Sequence, residues 1–236
     1  MIQCRVCLSD NHHLAVTCVK CGAFLQNKIE TLDLFTTAWR ILERPVKTFH
    51  AIAVSRHKNY SLFLSFIAGI GFIFSVFWII NAGELTNSLV RFLATGIMLG
   101  PPLGILTVTV FSIACNIIAR LAGTKISVKN CFAVTAFALI PTVISVILVL
   151  PLEIMTFGVY FFSKNPSPYL LKPTSYILLL ILDGIFILWT LLLLVIGIKI
   201  LSDRSYIYSV IVACCGIGFV SGFYYLLYNL IYPLIH

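Results

Sequence analysis

Five long apolar runs, each bounded by charged or strongly polar residues, organise this chain from Lys58 onward. The first, SLFLSFIAGIGFIFSVFWII, lies between Lys58 and Glu84, and the second fills the interval between Arg91 and Arg120. The third runs from Asn130 to Leu152, and the fourth, between Lys172 and Lys199, is interrupted only by Asp183. The fifth extends from Ser205 to Ile235 without an acidic or basic residue. An α-helix rises about 1.5 Å per residue, so about twenty apolar residues cross the roughly 30 Å of hydrocarbon in a bilayer. Every run is long enough. The pattern predicts an all-α membrane protein with five transmembrane helices in residues 59–236. Upstream, in residues 32–58, the pattern turns amphipathic: Leu34, Ala38, Ile41 and Leu42 recur at helical spacing, with Arg40, Glu43 and Arg44 elsewhere around the turn. Pro45 breaks that helix or restarts it in a first turn, and the second piece sets Phe49, Ile52 and Ala53 on one face. With Trp39 and a basic flank, the segment suits the cytoplasmic membrane interface as a juxtamembrane amphipathic helix. A connector packed under the bundle fits the same pattern.

Composition removes most other classes. The 236 residues are 60% apolar and only 10% charged, with a mean hydropathy of +1.05, whereas a soluble domain carries about 25% charged residues. So few charges cannot cover a water-facing surface, which excludes a soluble enzyme, a disordered chain and a secreted disulfide scaffold. The net charge of +8 points to topology, and no nucleic-acid partner is expected. Thirteen of the sixteen Lys and Arg, including Lys28 and Lys125, precede the first span or lie in the second-to-third and fourth-to-fifth connections; only Arg91, Lys164 and Lys172 lie on the other side. Basic residues collect in cytoplasmic loops, so the N-terminus is expected in the cytoplasm and the C-terminus outside.

Residues 1–27 carry a different chemistry. Cys4-x-x-Cys7 is followed by Cys18-x-x-Cys21-Gly22. A two-residue spacing turns the chain so that both thiolates of a pair face one point, and two such knuckles supply the four sulfurs of a tetrahedral Zn²⁺ site. Disulfides are disfavoured in a reducing cytosol. Iron–sulfur clusters also use four cysteines, but the symmetric pairing favours one structural zinc per chain. Arg5 and Lys20 offset the charge of the thiolates, and His12 and His13 read as exposed loop residues. A segment this short cannot build a core, so metal binding would provide most of its folding energy. Cys115, Cys131, Cys214 and Cys215 fall in spans and read as small buried apolar residues.

No phosphate-binding glycine loop, paired-His motif or nucleophile elbow occurs in the sequence. Gly100-Pro101-Pro102-Leu103-Gly104 and Gly218-Phe219-Val220-Ser221-Gly222 read as close helix contacts between small residues. The two prolines remove two amide donors, so the second span is expected to kink or restart there, and Pro141 raises the same question in the third. Asp183, the one acid well inside a span, is expected to face the bundle or water, at a depth where Glu153 and Asn81 could meet it. It reads as a hydrogen-bonded contact between helices or as a proton or substrate site.

Two resemblances add to this reading. CRVCLSDNHHLAVTCVKCGAFLQ resembles the zinc-ribbon module that precedes many bacterial membrane domains, with Leu8 where a glycine commonly follows the first knuckle. The membrane part carries four stretches in a fixed order: Trp39-Arg40-Ile41-Leu42-x-x-Pro45-x-x-x-Phe49-x-x-Ile52, Ala119-Arg120-Leu121-Ala122-Gly123, Phe132-Ala133-Val134-Thr135-Ala136-Phe137-Ala138-Leu139-Ile140-Pro141, and Trp189 to Ile198. In that order they resemble the juxtamembrane start, the close of the second span, the third span and the end of the fourth span of the Yip (Ypt-interacting protein) family. The resemblance implies five spans, a cytoplasmic N-terminus and no enzymatic activity. Eukaryotic members are associated with Rab-type GTPases, but the ribbon-plus-Yip arrangement is of bacterial type, so a Rab partner is not carried over. It implies an integral protein of a bacterial inner membrane with a periplasmic C-terminus. The expected function is a scaffold or interaction subunit that presents the ribbon to a protein partner, at the cytoplasmic face or in the membrane, alone or in a homo- or hetero-oligomer. The alternative is a transporter or lipid-handling protein that uses the proline-broken helices and Asp183.

Overall fold

The structure, a computed structural model, describes residues 2–26, 32–85, 88–124 and 126–235, with side chains through Leu226. Lys28, Lys125 and His236 lie outside the described residues. Strands β1 (Ile2–Gln3) and β2 (Asp10–Asn11) are followed by helices α1 (Leu34–Glu43), α2 (Pro45–Val54), α3 (Ser61–Ile79), α4 (Leu89–Leu121), α5 (Val128–Ala138) and α6 (Ile140–Phe157). The one-turn helix α7 (Pro168–Leu171) then leads to α8 (Pro173–Ser202) and α9 (Tyr206–Ile235). Among the described residues, five segments are long and apolar enough to cross a membrane: Ser61–Ile79, Leu89–Leu121, Val128–Phe162, Pro173–Ser202 and Tyr206–Leu226.

The chain divides into two compact units. One gathers residues 1–61, 112–135 and 195–236. Here β1 pairs antiparallel with β2, Ile2 opposite Asn11. Asp33 caps α1 by accepting from the Thr36 amide at 2.8 Å, and Pro45 occupies the first turn of α2, where its missing N–H leaves no orphan. Phe49 and Ile52 of α2 are fully buried. Phe49 stands beside Gly197, whose missing side chain also makes room for Val134. Lys58 donates to the carbonyls of Ile52 and Ala53, placing its charge on the C-terminal end of α2, where carbonyls lack partners. Burial, and then the charge of Lys129, push this ammonium down to about 8. Asn116 donates to the Ile126 carbonyl, and Gly123, at φ +73°, makes the left-handed turn after α4.

The other unit gathers residues 62–111 and 136–194. Its core is aromatic. Phe74, Phe92, Phe157, Phe161 and Phe162 are buried together, with ring centroids of Phe74 and Phe92 each 5.0 to 5.7 Å from that of Phe162 or one another. These rings hold two 3₁₀ turns, Ala82–Leu85 and Gly158–Phe162. Glu84 ties the first turn to the chain just after the second, accepting from the amides of Lys164 at 2.8 Å and Asn165 at 3.1 Å. Helices α3 and α4 meet backbone to backbone: a Cβ on Gly104 would stand 2.7 Å from the Cα of Gly69, and one on Gly100 would stand 2.6 Å from the Cα of Ile70.

Several details depart from the sequence reading. Helix α4 does not restart at Pro101 and Pro102 but is one helix from Leu89 to Leu121. The prolines withdraw only the bonds to the carbonyls of Ile97 and Met98, while Gly100 and Gly104 fix the helix against α3. The break falls instead in the third span, at Leu139, with Pro141 in the opening turn of α6. Gly218 and Gly222 face open space: a Cβ at either position would meet nothing within 4 Å among the described residues, so they make no close helix contact there. Cys214 and Cys215 are exposed on α9, whereas Cys115 and Cys131 are buried.

Candidate functional site

The first candidate site is built by two short loops of like design. In the first knuckle the Leu8 amide donates to the Cys4 carbonyl at 2.9 Å, and the Cys4 amide to the Ser9 carbonyl at 3.0 Å. In the second, the Gly22 amide donates to the Cys18 carbonyl at 3.0 Å, and the Cys18 amide to the Ala23 carbonyl at 2.8 Å. Each loop needs a left-handed residue just after its second cysteine: Gly22 has φ +72°, and Leu8 takes the equivalent place at φ 56°. The position where glycine is missing is therefore the one where the backbone demands it.

The loops bring Cys4, Cys7, Cys18 and Cys21 together, all four sulfurs within 4.8 Å of one another. Cys4 and Cys21 Sγ are 3.6 Å apart, and Cys7 and Cys18 Sγ are 3.5 Å apart. Four ligands at about 2.3 Å on a tetrahedron stand about 3.8 Å apart, so the set could hold one metal ion. Polar neighbours serve the sulfurs. Ser9 Oγ lies 3.0 Å from Cys7 Sγ and 3.2 Å from Cys18 Sγ, and the buried Asn11 donates to Cys18 Sγ at 3.6 Å. The Ser9 hydroxyl is the chief cause that pushes Cys18 down to about 5, followed by the amide of Cys21. Cys21 is pulled the other way, to about 12: the Ala23 amide lowers it, but Cys7, burial, Cys4 and Cys18 together outweigh that pull.

Asn11 does more than face sulfur. Its Nδ2 also donates to the Ser9 carbonyl at 2.9 Å, and its Oδ1 accepts from the Val19 amide at 3.0 Å, so one side chain joins both knuckles. Arg5 and Lys20 are exposed beside the ligands, and His12 is exposed. His13 is not: Nε2 donates to the Ile200 carbonyl at 2.9 Å, and Nδ1 lies 3.8 Å from Asp203. It fastens the cysteine loops to the end of α8. Sequence reading passed over Ser9, Asn11 and this contact of His13. Only the place of Ser9 and Asn11 just after a knuckle could have signalled them.

The second candidate lies in the aromatic unit, around a cavity of about 360 Å³ lined by α3, α6, α8 and the 3₁₀ turn Gly158–Phe162. Asp183 and Glu153 both line it. Ser145 donates to Asp183 Oδ1 at 2.6 Å. Thr142 and Thr190 share a hydrogen bond of 2.9 Å beside it. Thr142, Ser145 and Glu153 follow helical spacing along one face of α6, a signal the sequence carried. Glu153 is only 4% exposed, and its Oε1 has no hydrogen-bond partner among the described residues. Asn81 is not part of the cavity. It sits after α3 with φ 55°, and its amide donates to the Ile79 carbonyl at 3.4 Å.

The family model for the Yip1 domain matches residues 39–228, which includes every candidate span and stops short of the cysteine loops. No curated protein and no solved structure matches the chain.

Proposed function

The chain belongs to the Yip1 domain family, and on that premise we propose that this integral membrane protein is a non-enzymatic scaffold or interaction subunit of a bacterial inner membrane. It presents a structural zinc ribbon to a cytoplasmic protein partner. One observation carries the reading: Val6, Leu8, Val19 and Phe24 of the ribbon are 74%, 69%, 92% and 78% exposed. A domain whose buried groups are sulfurs and one asparagine turns its apolar side chains outward, where a partner can cover them. Arg5 and Lys20 beside them suit an acidic rim on that partner.

The compact sulfur set supports a single ion, since a cluster of several irons spreads its thiolates further. Zinc accepts four thiolates without strain and supplies folding energy. It would do no chemistry here, because four protein ligands leave no position for a substrate. The excess of Lys and Arg on one side of the spans supports a cytoplasmic ribbon. Phe35 and Trp39, exposed one helical turn apart on α1 beside Arg40 and Arg44, suit the same membrane face.

A photocrosslinking residue at Val19, in native membranes, tests the proposal. A discrete protein adduct is expected, and Phe24→Asp should abolish it without loss of zinc. Adducts to lipid alone would overturn the reading. The alternative, a transporter or lipid-handling protein, has its own observation in the acid-bearing cavity.

A further inference from the structure

The cavity of the aromatic unit holds two carboxyl groups with no basic side chain to balance them. Asp183 and Glu153 line it, and no Lys, Arg or His does so among the described residues. Ser145 satisfies one oxygen of Asp183. Glu153, although buried, keeps Oε1 without a partner among the described residues. A buried carboxyl oxygen left unpaired is costly, so its presence in a cavity wall calls for a donor or a positive charge from outside the chain.

The rest of the lining narrows the kind of charge. Phe74, Trp78, Phe161 and Phe186 line the same space, and aromatic faces attract cations, indole most strongly. The volume of about 360 Å³ falls in the range of small organic ligands and far exceeds the room a bare metal ion takes. Beyond the acids and a few hydroxyls the walls are apolar, which suits carbon substituents rather than a hydration shell.

We propose that this cavity binds an organic ammonium cation, its charge between Asp183 and Glu153 and its substituents against the rings. The ammonium belongs either to a free organic cation or to the ethanolamine headgroup of a phospholipid. The inference deepens the transport or lipid-handling alternative and does not depend on any partner of the ribbon.

Calorimetric titration of the purified full-length protein with benzyltrimethylammonium tests it. One saturable site per chain is expected. Asp183→Asn and Glu153→Gln, which keep side-chain shape, should each weaken binding by on the order of tenfold to a hundredfold, and Trp78→Leu by about threefold. Asn81→Ala should leave it unchanged. Neopentylbenzene, the same shape without the charge, should fail to compete, and this arm on the wild-type protein decides the matter if a variant does not fold. Competition by short-chain phosphatidylethanolamine but not phosphatidylglycerol assigns the site to a headgroup; competition by neither assigns it to a free cation. No saturable binding, equal competition by neopentylbenzene, or full binding in both folded carboxamide variants would overturn the proposal.

Discussion

The cysteine loops at residues 2–26 and the paired 3₁₀ turns of the aromatic unit both hold irregular backbone in place, but with opposite materials. In the loops the buried side chains are Cys4, Cys18 and Asn11, while Val6, Val19 and Phe24 face outward. In the turns the buried side chains are rings, Phe157, Phe161 and Phe162 packed with Phe74 and Phe92. A handful of directed bonds does for one region what apolar area does for the other. Directed bonds fail together when their centre is removed, whereas an apolar core gives way in proportion to the area lost.

The largest predicted effect follows from that difference. Stripping the proposed zinc, or replacing Cys4 and Cys7 by Ser, should remove on the order of 10 kcal/mol of folding free energy from the loops. Amide hydrogen exchange should then show residues 2–26 fully open and the membrane helices still protected, because helices in lipid satisfy their own backbone. Protection of the loops without metal would erase the contrast.

A second prediction tests whether the membrane part depends on apolar fit as assumed. Gly104→Leu should destabilise the protein by about 3 kcal/mol, since the new side chain meets the backbone of Gly69. Gly218→Leu should be nearly neutral, because nothing lies within 4 Å of its first added carbon among the described residues. Thermal unfolding of both variants in detergent makes the comparison, and equal effects would refute it.

The smallest effect sharpens the comparison within the loops themselves. Leu8→Gly should stabilise the metal-bound loops by about 1 kcal/mol, and Gly22→Ala should destabilise them by a similar amount, because both residues hold left-handed backbone. Competition with a zinc-sensitive dye would read these as opposite shifts in metal affinity. Shifts of the same sign would show that the two loops are not equivalent.

The sequence made the spans legible because long uncharged runs have few other uses, and it made the sulfur cluster legible because paired spacing repeats. It made other features less plain for definite reasons. Two adjacent prolines looked like a break in the second span, yet close packing on Gly69 and Ile70 keeps α4 whole, and a lone proline opens α6 instead. The GxxxG spacing of Gly218 and Gly222 is the same as that of Gly100 and Gly104, but spacing does not say whether another helix stands opposite. Depth brought Glu153 to Asp183 and not Asn81, because the chain turns at Asn81 and spends its amide on Ile79. Asn11 was hidden for a simpler reason: its bonds join residues two to eight positions away through a fold that only the cysteine loops create.

The contact of α3 with α4 carries a mechanical consequence. Where backbone rests on backbone, as at Gly69 and Gly104, no side chain can change rotamer to absorb a shift, and one helix cannot slip past the other by a fraction of a turn. The pair behaves as a stiff post. Since α3 forms one wall of the cavity, a change in its width has to come from the other walls: α6 and α8, which carry the acids, and the turn that carries Phe161 and Phe162.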